Sequence, residues 1–342
     1  MELNDVLQDS IRLMQEDFYT KKFHFSYSSL NKLLWNPQTF YQIYILGQRE
    51  EREESHLVNG KIIHALLLEQ AKFSENFIIA PTALPTGNTK RVVDSVFRHY
   101  TELSKNGDER TELAQFEGAI LDVMKDINYY QNLKTDQQRL DKVITADTIS
   151  YWNFLKTKGN KTLIDQEAYD FCKNAVDLVK LNKQVCDLIG CDISDFDNKD
   201  VYNELLLECH INGMTFGLKG IIDNIVVNHD TKKIYVNDIK TTSKDLKDFP
   251  ETVEFYNYWL QAAIYCTLCA VKFLDLYERG YEIKFNFVVI DRSYQVYPFP
   301  VSEPTLNGWM DKMTAVLNKA NWHYTNKDYT LPYEFALNTV TL

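Results

Sequence analysis

The sequence predicts an α/β (α+β) fold in which helices flank a mixed central sheet and a large helical insertion interrupts the chain. Three observations predict it. Between Gly217 and Thr242 two β-branched runs, IIDNIVV and KIYVNDIKTT, flank the polar cluster Asn-His-Asp-Thr-Lys, the pattern of a β-hairpin. After it, a helical stripe and then EIKFNFVVID complete a strand, crossover helix and strand, a βαβ unit that is right-handed by default. From about Pro81 to Gly190 the chain is polar and helical, with no motif that carries chemistry.

Composition bounds the function. With 342 residues, 45% hydrophobic and 25% charged, the chain can bury a substantial core as an ordinary soluble protein. No apolar run is long enough to cross a bilayer, and Met-Glu-Leu-Asn-Asp does not open a signal peptide. The six cysteines lack the spacing of a small secreted domain and read as reduced thiols in a cytoplasm. Cys266 and Cys269 form a C-x-x-C, but within a helical pattern and without a second pair. A net charge of −11 argues against nonspecific coating of nucleic acid. Between Gly213 and Lys247, however, six lysines face four aspartates, a local reversal of the acidic average.

In chain order, residues 1–22 read as a polar helical lead-in with Leu13 and Met14 as apolar points. Ser28 is a candidate N-cap for a helix that buries Leu30, Leu33 and Leu34. Asn36-Pro37 breaks it, Pro37 opens the next helix and Gly47 closes that one. QREEREES reads as a charged loop, and HLVNGKIIHALLLEQ as a helix carrying His64. A histidine beside leucines is either a satisfied boundary residue or a neutral metal ligand, and spacing alone leaves both open. Pro81–Asn88 reads as a loop, followed by helices at 91–105, 111–131, 138–157 and 163–189. VYNELLLECHI is a strand that enters the hairpin through the turn Asn212-Gly213. Glu204 and Glu208 lie an even number of residues apart on it and so share a face, one for an acidic cluster and one for the rim. Asp248-Phe-Pro-Glu opens one long helix with the stripe Phe255, Tyr258, Trp259, Ala262, Ala263 and Cys266. Gln261 and Tyr265 stack at i and i+4 on its flank. EIKFNFVVID and SYQVYPFPV are strands, and a last helix runs from Glu303 to about Ala320 before an irregular tail. The expected organisation is N-terminal helices over 1–80, a helical insertion over 81–199, a core over 200–325 and a tail over 326–342.

The chemistry converges on the hairpin. Pairing of its arms brings Asp223 toward Asp238, and Lys240, two positions on, shares a face with Asp238. D-x-K occurs four times, at Asp197, Asp230, Asp238 and Asp245, but only Asp238-Ile239-Lys240 lies in an apolar β run. Two carboxylates and a lysine on one buried face are costly unless a hard divalent cation and an anionic substrate supply the missing charges.

His64 in NGKIIHALLLE, Gly220-Ile-Ile-Asp223, Asp238-Ile-Lys240 and Gln261-Ala-Ala-Ile-Tyr265, in that order, resemble the PD-(D/E)XK nuclease superfamily, in its RecB-like and exodeoxyribonuclease VIII (RecE)-like branch. SYSSLNKLLWNPQTFYQIYILG resembles that branch's opening helix pair, and LIDQEAYDFCKNAVDLVKLNKQVCDLI and FNFVVIDRSYQVYPFPV resemble the RecE-like group. The likeness spans roughly 23–80 and 163–325; residues 85–160 have no counterpart. It implies a restriction-endonuclease-like core and one or two Mg²⁺ or Mn²⁺ ions held by His64, Asp223, Asp238 and the backbone carbonyl of Ile239. Glu204 would be the acid of the preceding strand, Lys240 would orient or help deprotonate the attacking water, and Gln261 and Tyr265 would support the site. Lys219, Thr241 and Lys244 are candidate DNA contacts. No iron–sulfur cluster is expected, because Asn36 stands where cluster-bearing relatives carry cysteine and no cysteine follows Cys269.

The leading reading is a metal-dependent DNA exonuclease of phage-type recombination or DNA degradation, in the cytoplasm of a bacterial or phage-infected cell. Its partner is DNA, as linear duplex ends, with a homo-oligomeric ring and a single-strand annealing protein as candidate associates and no membrane. The alternatives are a structure-specific endonuclease on the same core and a catalytically silent DNA-end-binding or scaffold module. An acidic DNA mimic rests on net charge alone.

Overall fold

The computed structural model describes residue 14 and residues 16–48, 55–81, 84–191 and 198–341. Most of the N-terminal lead-in, the charged run at 49–54, part of the loop at 82–83 and Asp197 lie outside the described residues. The chain forms two compact units, Met1–Gln70 with Cys172–Leu342, and Ala71–Phe171. The second unit is thus shorter at its C-terminal end than the 81–199 span expected, and residues 172–191 pack in the first.

Eight strands occur among the described residues: β1 (His24–Phe25), β2 (Phe77–Ile79), β3 (Thr162–Ile164), β4 (Lys199–His210), β5 (Gly217–Asn228), β6 (Lys233–Thr242), β7 (Glu282–Asp291) and β8 (Val296–Pro300). Six of them make the mixed sheet of the first unit. β4–β5, β5–β6 and β7–β8 are antiparallel, whereas β6–β7 is parallel through the expected crossover helix. Gly213, at φ 82°, makes the β4–β5 turn. The helices that matter for the site are α1 (Tyr27–Trp35), α2 (Ser55–Leu68), α3 (Lys183–Ile189), α4 (Phe249–Phe255), α5 (Tyr258–Lys272) and α6 (Glu303–Asn326). Leu260, Ala262, Ala263 and Ile264 of α5 are buried against Ile225, Val227, Val236, Phe285, Phe287 and Val289 of the sheet, and α6 packs behind α5. Burial of such side chains, at about 1.5–3 kcal/mol each, is what holds α5 on the sheet.

Four asparagines run across the sheet in register: Asn203, Asn224, Asn237 and Asn286 on β4, β5, β6 and β7. Each amide donates to the next carbonyl oxygen, Asn286 to Asn237 at 2.9 Å, Asn237 to Asn224 at 2.7 Å and Asn224 to Asn203 at 2.8 Å. The spare amide hydrogens of Asn237 and Asn224 go to the carbonyls of Leu188 and Ile189, at the C-terminal end of α3 where helix carbonyls lack intrahelical donors. Asn203 donates likewise to the Leu68 carbonyl that ends α2. Because an amide can be satisfied here only opposite another amide, the ladder selects one strand register.

That register creates the site. The β5–β6 ladder ends at Asn224 opposite Asn237, and one step further Asp223 and Asp238 meet where the strands part. On the other side of β5 the alternation slips. Tyr202 and Leu205, three apart on β4, pack on the same core, as do Ile222 and Ile225 on β5. Glu204 lies at the slip with φ 48°, in the left-handed region. The expectation that Glu204 and Glu208 share a face is therefore corrected: Glu208 is exposed, while Glu204 turns inward.

Other expectations are corrected by local chemistry. Ser26, not Ser28, caps α1, in a reciprocal capping box with Ser29. The segment 111–131 shortens to a 3-10 turn at Leu113–Phe116 and a helix at Glu117–Asp126. The segment 163–189 opens as β3, and Asn182 caps a new helix within it, the side chain accepting from the Val185 N–H. The long helix after Asp248 is two helices, broken at Tyr256 and Asn257, with Asn257 at φ 57°. The last helix continues past Ala320 to Asn326.

In the second unit β2 and β3 pair in parallel, and Trp152 is buried among Phe97, Tyr100 and Phe116. Its indole N–H donates to the Thr111 carbonyl at 2.8 Å.

Candidate active site

Helix α2 brings His64 over the fork between β5 and β6. Its Nδ1 lies 3.1 Å from Glu204 Oε1, and its Nε2 lies 3.0 Å from the Ile239 carbonyl and 3.7 Å from Asp223 Oδ2. Asp223 Oδ2 also accepts the Ile239 N–H at 2.7 Å, which holds the carboxylate at the strand separation. Burial alone would lower the His64 pKa, but Asp223, Glu204 and the Ile239 carbonyl more than offset it and raise it to about 9. The imidazolium thereby balances two carboxylates that would otherwise repel.

Asp238 is wholly buried, and Lys240 Nζ lies 2.6 Å from its Oδ2. The two form an ion pair at hydrogen-bonding distance, and among the described residues the other carboxylate oxygen, Oδ1, has no hydrogen-bond partner. Burial and the neighbouring Asp223 outweigh Lys240 and push the Asp238 carboxyl up to about 6. For Lys240 burial acts downward, but Asp238 and Asp223 dominate and raise its pKa, so it stays an ammonium. Its Nζ sits 4.8 Å above the Tyr258 ring, a cation–π contact from the first residue of α5.

Gln261 and Tyr265 are buried one turn apart on α5, and Gln261 Nε2 donates to Tyr265 Oη at 2.9 Å. Gln261 Oε1 has no partner among the described residues. A Cβ on Gly220 would lie 2.8 Å from the Tyr265 ring, so the glycine is what lets that ring lie against β5.

His64, Glu204 and Asp223 each offer a ligand atom, all within 4.8 Å of one another. Asp238 falls outside this trio because its carboxylate is turned to Lys240. The residues fit a hard divalent cation: the donors are carboxylates and a carbonyl, and the buried Oδ1 of Asp238 lacks a donor among the described residues. Of the candidate DNA contacts, Thr241 and Lys244 are exposed at the end of β6 beyond Lys240. Lys219 lies opposite Glu208 on β5, with its ammonium 5.9 Å from the Phe23 ring centre, and makes no contact with the acidic cluster among the described interactions. The C-x-x-C thiols are buried in α5, and burial pushes Cys269 up to about 12.

The model of the PD-(D/E)XK nuclease superfamily matches residues 24–321. The chain belongs to that superfamily. No curated protein matches it. Among solved structures, the crystal structure of a "Putative exonuclease" from Eubacterium rectale is similar at 11% identity, covering 96% of this chain and 93% of that one, with a TM-score of 0.45. The crystal structure of SSO0001 is similar at 15% identity over 49% of this chain and 67% of that one, with a TM-score of 0.22. Likenesses this distant carry no weight for function. Membership of the superfamily makes this a metal-dependent nuclease fold, and no helix among the described residues is long and apolar enough to cross a membrane.

Sequence reasoning missed two contributors, the asparagine ladder and Tyr258 beneath Lys240. The former has a signal: Asp223-Asn224 and Asn237-Asp238 are mirror images across the turn, so antiparallel pairing sets like against like. The strained Glu204 yields a test. Glu204→Gly should keep the unfolding temperature or raise it by up to a few degrees, since a non-glycine residue in the left-handed region costs roughly 1–2 kcal/mol. Hydrolysis of DNA should fall at least about tenfold with the lost carboxylate. Calorimetry beside a nuclease assay checks both; a clear loss of stability would show that the backbone there is not strained.

Proposed function

We propose that the chain is a Mg²⁺- or Mn²⁺-dependent deoxyribonuclease of the RecB/RecE-like branch that degrades linear duplex DNA from its ends. The observation that carries this reading is the buried Asp238, with one oxygen on Lys240 and the other without a donor among the described residues, next to the His64, Glu204 and Asp223 trio. Glu204, Asp223, Asp238 and the Ile239 carbonyl would hold the ion, and His64 would join them once it gives up a ring proton, since only a neutral imidazole has a lone pair to donate. Once bound, a divalent cation supplies charge neutralisation at the phosphate and a more acidic water.

The remaining chemistry belongs to the protein. Lys240, kept charged by its acidic neighbours, offers the N–H donors that Asp238 does not engage to a non-bridging phosphoryl oxygen or to the attacking water. Asp238 and the Tyr258 ring position that ammonium from two sides. Gln261 Oε1, free of partners among the described residues, can accept from a water in the site, and Tyr265 fixes the orientation of that amide. His64 braces Glu204 against β6 and spreads the negative charge. Thr241 and Lys244 lie on the rim where the DNA backbone would pass, and Lys219 is a more distant contact. A role in phage-type recombination, with a ring assembly and an annealing partner, follows from the branch.

The test is digestion of end-labelled linear duplex DNA beside closed circular DNA, with Mg²⁺ or Mn²⁺ and with EDTA. Loss of linear DNA alone, abolished by EDTA, is the expected result. Nicking of circles would replace the exonuclease by an endonuclease, and binding without cleavage in either metal would leave only a scaffold.

A further inference from the structure

Large aromatic side chains left in solvent together mark a contact surface, because nothing in the chain itself repays their hydration. Trp35, Phe255 and Tyr256 lie together with 60%, 60% and 44% of their surface exposed. They form the outer end of a continuous run of rings that starts at the active site. Lys240 sits over Tyr258; Tyr258 stacks on Tyr256, with ring centres 5.6 Å apart; Tyr256 meets Phe255 edge-on at 4.9 Å; and Phe255 meets Trp35 edge-on at 6.2 Å.

The run is built rather than incidental. It exists because the helix expected after Asp248 breaks at Asn257, which takes a left-handed conformation and turns Phe255 and Tyr256 outward. Helix α1 pins that break. The Tyr256 carbonyl accepts from the Tyr27 hydroxyl at 2.5 Å and from Asn31 Nδ2 at 3.3 Å, and Asn257 Nδ2 donates to Asn31 Oδ1 at 2.8 Å. Trp259 Nε1 donates to Asn257 Oδ1 at 3.1 Å. The backbone that presents Phe255 and Tyr256 is therefore fixed before any ligand arrives, which lowers the cost of binding. Lys32, one turn before Trp35 on α1, adds an exposed ammonium. Glu254, which precedes Phe255 in the chain, is paired with Lys312 at 3.4 Å.

From this continuity we infer that Trp35, Phe255 and Tyr256 form a stacking platform for unpaired bases of the DNA strand whose phosphate lies at Lys240. The inference rests on the nuclease reading and narrows its substrate: the strand enters the site single-stranded, as an overhang, a frayed end or free single-stranded DNA. Aromatic faces suit this ligand, because every base has a π-face and stacking is indifferent to sequence. A paired duplex end presents its bases already stacked on one another.

The probe is a fluorescein-labelled oligothymidylate of about fifteen nucleotides, followed by anisotropy in EDTA so that no hydrolysis intervenes. Trp35→Ala and Phe255→Ala should each weaken binding about tenfold and the double variant about a hundredfold, whereas Trp35→Phe stays within about threefold of wild type. With Mn²⁺ the same variants should raise KM for the oligonucleotide and leave kcat within about threefold, because Lys240 and the acids are untouched. Wild type that fails to bind the oligonucleotide, or a double variant that binds it as wild type does, overturns the platform. So does a double variant that changes only the oligomeric state, which would make the rings a contact between copies. The two readings fail separately. Wild type that binds the oligonucleotide through these rings but cleaves no DNA keeps the platform and removes the nuclease, and cleavage indifferent to both substitutions does the reverse.

Discussion

Asp238→Asn should lower the rate of DNA hydrolysis by about 10³-fold or more while the chain stays folded. The side chain keeps its shape, so packing around a wholly buried position is preserved. What disappears is the negative charge that holds Lys240 Nζ at 2.6 Å, and with it one of the two carboxylate oxygens a cation could use. Burial already makes this carboxylate hard to ionise, and a cation and a phosphate would be what makes its charge worth keeping. Lys240 retains Asp223 as an opposite charge in the variant, so the substitution does not strand a lone buried cation. Single-turnover hydrolysis of labelled DNA, with circular dichroism as the folding control, measures the effect. Activity within about tenfold of wild type would take Asp238 out of the chemistry.

Asn237→Val should produce the largest loss of stability, about 4 kcal/mol. Two buried groups and a half-buried one lose their partner at once: the Asn224 side-chain carbonyl, the Asn286 amide and the backbone carbonyl of Leu188. Leaving a buried polar group unpaired costs about 1–3 kcal/mol, and burying a valine there returns part of the sum. Asn203→Ala, at the exposed end of the same ladder, should cost no more than about 1 kcal/mol, since water can reach the groups it frees. Urea unfolding of the two variants beside wild type tests the gradient. Equal losses would mean that the ladder does not act as a buried network, and that the register placing Asp223 opposite Asp238 is set by apolar packing alone.

Much of the site was legible in the chain because it is local or periodic. The hairpin, the pairing of Asp238 with Lys240 two residues on, and the Gln261–Tyr265 step on one helix flank all follow from periods of two and 3.6. Turn chemistry marked the hairpin ends, at Asn212-Gly213 and at Asn228–Lys232. Less legible was whatever depends on a residue leaving its regular conformation. Parity put Glu204 and Glu208 on one face, and a single left-handed residue undid it. Periodicity ran one helix through Asn257, although asparagine is the non-glycine residue most at ease where the chain there goes. Ser26 and Ser28 are chemically equal candidates for the cap, and only the reciprocal bond with Ser29 distinguishes them.

By itself, the amino-acid order determined the hairpin, the mixed sheet with its crossover and the acid–lysine pair, because these rest on contacts between near neighbours and on side-chain periodicity. Only the tertiary structure decided that His64 reaches Glu204 and the Ile239 carbonyl, 140 and 175 residues away. It also decided that β5 and β6 part at the two aspartates and that a run of rings leads from Lys240 to solvent. The reason is physical: such contacts are set by how strands twist, slip and separate once packed, and no local pattern in a chain encodes where distant segments come to rest.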